Sequence, residues 1–195
     1  MYHHPLRNSR FWLFLFSIDE DLAETTRKQA CPCGGRRHCA NYPRKPRGGP
    51  DDLPESYRTR LSFCCERDGC RRRATPPSVR FLGPTVYLAA VVILVTAMRQ
   101  GPTPRGARKL SELFGANRRT IVRWQVFWSE HFPQTAFWKV ARARLVSAVE
   151  IVALPRSLLD AFLRHANDEL QGWGRLLRFL SPITVAGGFQ IRVSR

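Results

Sequence analysis

Six cysteines, Cys31, Cys33, Cys39, Cys64, Cys65 and Cys70, share one stretch of the chain, and none of the 125 residues downstream is a cysteine. Such clustering points to one local site. A structural zinc ion needs four thiolate or imidazole ligands at tetrahedral corners, and pairs of cysteines on two tight turns are its usual cage. Cys31-Pro32-Cys33-Gly34-Gly35 has the proline and glycines of such a turn, and Cys65 with Cys70 supplies a second pair. The spacing is irregular, with one residue between the first pair and four between the second, where the common knuckle has two. His38, Cys39 and Cys64 therefore stay open as substitutes for one ligand. Strand alternation over Leu61 to Cys65 sets Leu61, Phe63 and Cys65 on one face and Ser62 and Cys64 on the other, which favours Cys65. The expected set is Cys31, Cys33, Cys65 and Cys70, with zinc as the cofactor.

A metal reading requires reduced thiols. Met1 to Arg10 leads into only six apolar residues, Phe11 to Phe16, before Asp19-Glu20-Asp21, so no export signal is expected and the location is expected to be cytoplasmic.

The second group with chemical potential is cationic. Lys plus Arg number 32 against 15 Asp plus Glu, a net charge of +17. A surplus of that size repels itself unless a polyanion is the partner. With 44% hydrophobic residues and 5 Trp, 4 Tyr and 12 Phe, the chain is too apolar for a disordered polycation. Asn117, Arg118, Arg119, Thr120 and Arg123 follow the turn Gly115-Ala116-Asn117, while Ile121, Trp124 and Trp128 recur on the opposite side. A helix that reads DNA needs such a turn, an inner face that holds it on the core and an outer amino-terminal face. Arg pairs bidentately with guanine O6 and N7, and Thr120 and helix-end N–H groups suit phosphate. Duplex DNA is the expected partner, with a nucleoid-associated location.

The elements that must position these groups follow from pattern. Residues 1–30 read as an amphipathic amino-terminal helix, with Phe11, Trp12, Leu15, Phe16 and Leu22 near one face and Asp19, Glu20 and Glu24 on a solvated face. Residues 31–83 read as a loop-rich, zinc-ribbon-like module with short strands, its centre Tyr42 to Pro50 being too rich in Pro and Gly for a helix. Residues 84–132 read as a helix-turn-helix domain. Its first helix, Pro84 to Met98, is apolar on nearly every side, yet about 20 residues are needed to span a bilayer. It is expected to be buried in protein, with no membrane partner. A helix through Phe114 and another from Asn117 to about His131 complete the three-helix core. Residues 133–195 read as a carboxy-terminal helical region: helices at about 134–152 and 156–170, a break at Gly172-Trp173-Gly174, and a hairpin or frayed tail from Ile183 to Val193. The fold class is thus mainly α.

Catalysis is not expected. Beyond residue 131 the only carboxylates are Glu150, Asp160, Asp168 and Glu169, all in helical segments, and His3, His4, His38, His131 and His165 lack metal or triad spacing.

The stretches Cys31 to Gly35, Tyr42 to Gly48, Cys65-Glu66-Arg67-Asp68-Gly69-Cys70-Arg71-Arg72-Arg73, Pro76 to Gly83 and Leu110 to Trp124 resemble bacterial transposase-type proteins that join a zinc ribbon to a helix-turn-helix and are associated with mobile elements. The resemblance covers roughly residues 10 to 165. It implies zinc-stabilised recognition of adjacent DNA by both units, in a regulator or in the targeting part of a transposition system, with a transposase or other mobile-element protein as a further partner. The shortened first knuckle departs from that pattern. Competing readings are a zinc-stabilised module that binds RNA or an acidic protein, and a catalytically dead transposase remnant.

Overall fold

The computed structural model describes residues 6, 8–82, 86–97, 112, 114–145 and 147–185. It is mainly helical, with a small antiparallel sheet of short strands. Helix α1, Ser9–Lys28, starts where the Asn8 side chain accepts from the Arg10 amide, and it buries Phe11, Trp12, Leu15 and Ile18. Asp19 lies on that buried face too, at 1% exposure, which corrects the expectation that the acidic triplet is solvated. Only Glu20 and Asp21 are exposed.

Asp19 is held by partners from a distant segment. Its carboxylate accepts from Ser78 Oγ (2.6 Å), the Val79 amide (2.6 Å) and Arg80 Nε (2.7 Å). The Arg80 guanidinium is fully buried, donates to the Ser56 and Thr59 carbonyls, and lies against the rings of Phe16, Tyr57 and Phe81. A buried charge is tolerated only when paired and hydrogen-bonded, and here both conditions hold. Burial, only partly offset by the Arg80 charge, also drives the Tyr57 hydroxyl upward from its usual range.

The cysteine-bearing segment forms two small sheets. Strands β1 (Arg37–Cys39), β4 (Phe63–Cys65) and β5 (Arg73–Ala74) run antiparallel in the order β1-β4-β5. Their register sets Arg37 opposite Cys65 and Cys64 opposite Arg73. Strands β2 (Tyr42–Pro43) and β3 (Thr59–Arg60) pair separately. The alternation expected over Leu61 to Cys65 holds only within β4, where Phe63 and Cys65 are buried and Cys64 is not; the strand starts at Phe63, and ahead of it Ser62 is fully buried and Leu61 only half-buried.

Helix α2, Ala89–Ala97, is buried at every position, as its uniform apolarity requires. Among the described residues no helix is long and apolar enough to cross a membrane. Helix α2 begins later than sequence suggests, because Tyr87 and Leu88 are extended and bridge to Arg47 and Phe81. The expected start at Pro84 and end at Met98 lie outside the described residues. So does most of the short helix expected up to Phe114, of which only Glu112 and Phe114 are described.

Helix α3, Arg118–Val126, continues as a single π turn, Phe127–His131, so helical backbone reaches His131 as expected. The segment at 134–152 is not one helix. Helix α4 covers only Ala136–Ala141, followed by a 3-10 turn at Arg142–Arg144, an irregular stretch, and another 3-10 turn at Ile151–Ala153. Leaving the helix after Arg144 keeps Leu145 and Val149 packed on the core while Arg142 and Arg144 face water. The β-branched residues there also favour helix weakly.

Helices α5 (Arg156–Arg164) and α6 (Glu169–Leu180) form the carboxy-terminal hairpin, with Asp168 capping α6 through the Gln171 amide. Gly172-Trp173-Gly174 lies inside α6 and does not break it. A Cβ on Gly174 would sit 2.7 Å from the Phe14 ring, and one on Gly172 2.7 Å from Leu163, so these glycines let α6 approach α1 and α5 closely. Of the tail, Ser181–Thr184 is a 3-10 turn, and 186–195 lie outside the described residues. One apolar cluster runs from Leu6 through α1, α2 and α3 to Ile183.

Candidate metal centre and basic face

Cys31, Cys33, Cys65 and Cys70 bring their sulfurs within 4.8 Å of one another. Two of the separations are 3.7 Å, Cys31 to Cys70, and 3.5 Å, Cys33 to Cys65. Metal–sulfur bonds of about 2.3 Å in a tetrahedron place ligands about 3.8 Å apart, so the donor set fits an ion such as zinc. No disulfide joins any of the six cysteines.

Local chain geometry explains the cluster despite its uneven spacing. The first turn closes by Gly34 N–H donating to the Cys31 carbonyl and Cys31 N–H donating to the Gly35 carbonyl. A Cβ on Gly35 would lie 2.6 Å from Cys65 Sγ, so only glycine lets the turn reach the second pair. Cys65 comes from the end of β4, anchored opposite Arg37. The longer second spacer folds back through Cys70 N–H donating to the Arg67 carbonyl. Arg67 also donates to the Cys33 carbonyl and joins the two turns.

The thiols are unequal. Cys33 is drawn down to about 6, first by the Gly35 amide hydrogen bond and then by the Cys70 and Cys65 thiols. At Cys65 the Arg67 amide pulls downward, but burial and the neighbouring thiols outweigh it and push the group up to about 12. A cation among the sulfurs would favour the thiolate at every one of them.

The three open substitutes fall outside the cluster. His38 and Cys39 are exposed on β1, and Cys64 points to the other face of β4, its thiol donating to the Arg71 carbonyl.

The second predicted group lies on α3. Gly115 has a φ of +60°, a left-handed conformation that suits glycine, and turns the chain into the helix. Asn117 caps it, its Oδ1 accepting from the Thr120 amide at 2.9 Å. Arg118 and Arg119 are exposed, and Thr120 and Arg123 are half-buried. Ile121 and Trp124 are buried, as are Phe127 and Trp128 in the π turn. Tyr87 fixes this helix by two contacts: its ring packs edge-on against Trp124 at 5.0 Å, and its hydroxyl donates to the Gly115 carbonyl at 2.7 Å.

The same Tyr87 links α3 to the cysteine segment. Arg47 bridges to it in a parallel sense, with Arg47 N–H donating to Val86 O and Leu88 N–H to Arg47 O. Lys45, Arg47 and Arg58 consequently line a cleft of about 700 Å³ together with Asp51, Glu112, Phe114 and Gly115. Sequence alone set Arg44 to Gly48 in a loop and Gly115 in the turn before a helix, with no signal that loop and turn line one cleft. Among the described residues Lys45, Arg47, Arg118, Arg119 and Arg123 enter no salt bridge, whereas Arg27, Arg58, Arg71, Arg80, Arg156 and Arg178 do.

No protein-family model matches this chain, and no curated protein and no solved structure matches it either.

Proposed function

We propose that this protein binds duplex DNA through a composite basic face, in which α3 lies in the major groove and the Lys45–Arg47 loop follows the adjacent backbone, with zinc at the four cysteines holding that loop's segment in shape. The observation that carries the reading is the set of guanidinium groups at Arg118, Arg119 and Arg123, which have no salt-bridge partner among the described residues and sit on a helix whose other face is locked to the core. A cationic face left without internal partners suits phosphate and base edges. Asn117 is committed to its cap, so Arg119 and Arg123, four apart, are the side chains assigned to base contact, with Arg118 and Thr120 on phosphate. The segment upstream of Gly115, which lies mostly outside the described residues and is expected from its sequence to be helical, would serve as the first arm of a helix-turn-helix, and the cysteine segment as a zinc ribbon. The resemblance to mobile-element proteins favours a role as regulator or targeting subunit beside a transposase, which would supply the catalysis.

The test is fluorescence anisotropy on labelled duplex DNA with Arg119→Ala/Arg123→Ala. Loss of two such contacts is expected to weaken binding by about tenfold or more, with the circular dichroism spectrum retained. An unchanged affinity in a folded variant overturns the assignment.

A further inference from the structure

The carboxy-terminal half of the chain carries a cavity that the DNA reading does not use. It measures about 580 Å³ and lies between α4, α5 and α6. Its floor is apolar, built from Phe137, Leu145, Phe162 and Phe179, and the last two rings lie 5.4 Å apart, tilted at 48°. Its polar side is one-sided in charge. Arg144, Ser147, His165 and Arg175 face it, and no carboxylate is among the described residues that line it. The nearest acidic side chain on α5, Asp160, opens instead onto a neighbouring cleft, where it pairs with Arg156 at 3.7 Å.

The polar groups are mutually braced. Ser147 Oγ lies 2.6 Å from His165 Nε2, and Arg175 donates to the His165 carbonyl at 3.3 Å. This pair resembles a nucleophile and its base. Among the described residues, however, no carboxylate hydrogen-bonds the imidazole to orient it, as a nucleophile–base pair for acyl transfer requires. The arrangement is suited to holding a ligand.

Volume, apolar floor and cationic rim together match the usual small-ligand site, in which a few convergent polar groups orient an otherwise apolar body. We propose that this cavity binds a small amphipathic organic acid, its aromatic or branched aliphatic body on Phe137, Phe162 and Phe179 and its carboxylate between Arg175, Arg144 and the Ser147 hydroxyl. Arg144 and Arg175, which enter no salt bridge among the described residues, provide the charge complement, and the rings provide the apolar contact. The proposal does not depend on DNA binding.

The experiment is isothermal titration of the full chain with 2-naphthoate and, in parallel, with its neutral isostere 2-naphthamide. Saturable binding of the carboxylate is expected, tighter than the amide by about tenfold. Arg175→Gln should abolish that preference while leaving amide binding in place. Because Arg175 also braces His165, the exposed Arg144→Gln serves as an independent variant and should reduce the preference too. Ala161→Phe, which fills the cavity, should remove binding of both compounds. The proposal is overturned if neither compound saturates, if acid and amide bind equally, or if binding of the acid survives Ala161→Phe in a folded protein, since it would then be general attraction to a basic surface.

Discussion

Four cysteines with irregular spacing converge because each spacer has its own way of folding back. Pro32 and two glycines compress the first pair into a turn, and the Arg67 backbone curls the second pair over its longer spacer. The ligand choice is therefore testable one side chain at a time. Purified protein should contain about one equivalent of zinc, and Cys31→Ser or Cys65→Ser should lose it, whereas Cys39→Ser and Cys64→Ser should keep it; elemental analysis reads the difference. Retention of full zinc in Cys65→Ser would show that the cluster is not the metal site. Asp19 makes an independent prediction. Replacing it by Ala strands Arg80 as an uncompensated buried charge, which should cost about 3–5 kcal/mol in urea unfolding. A loss no larger than that of a surface substitution would mean that the pair contributes little to the fold.

Among the elements, those with strong periodicity were the legible ones. Helix α1, the buried α2 and α3 with its capping Asn117 were all readable, because spacing, uniform apolarity and a cap residue are local signals. So was the alternation in β4 that separates Cys65 from Cys64. What local signals could not carry was anything set by a distant neighbour. The burial of Asp19 depends on Ser78, Val79 and Arg80, about sixty positions away, so an acidic triplet on a helix read as solvated. The glycines of α6 read as a break because the reason for them, Phe14 on another helix, is absent from the local sequence. At 134–152 the apolar repeat was genuine, but a bend after Arg144 buries the same residues. The α6 glycines lead to a further expectation. Gly174→Ala must displace the Phe14 ring or separate α1 from α6, so it should destabilise by about 1–3 kcal/mol despite the better helix propensity of Ala. A gain in thermal midpoint would show that the helices are not in close contact there.

The molecule as a whole has a large positive charge and one apolar core that joins α1, α2, α3, α5 and α6 to the Ser181–Thr184 turn. The charge was visible from composition, and its arrangement was not. The Lys45–Arg47 loop shares a cleft with Phe114 and Gly115, at the turn that leads into α3, and Tyr87 contacts both loop and turn. On the proposed DNA reading, Lys45, Arg47, Arg118, Arg119 and Arg123, which enter no salt bridge among the described residues, should displace counterions together on meeting a phosphate backbone, whereas cations scattered over a globule would not. Counterion release makes the logarithm of affinity fall linearly with the logarithm of salt, by about 0.9 for each phosphate neutralised. The decisive measurement is that slope for the zinc-loaded protein on duplex DNA. A composite face should give a slope of magnitude about 3–5 that becomes shallower by about 1–2 in Arg118→Ala/Arg119→Ala. A slope near zero, or one that the double substitution leaves unchanged, would contradict the account.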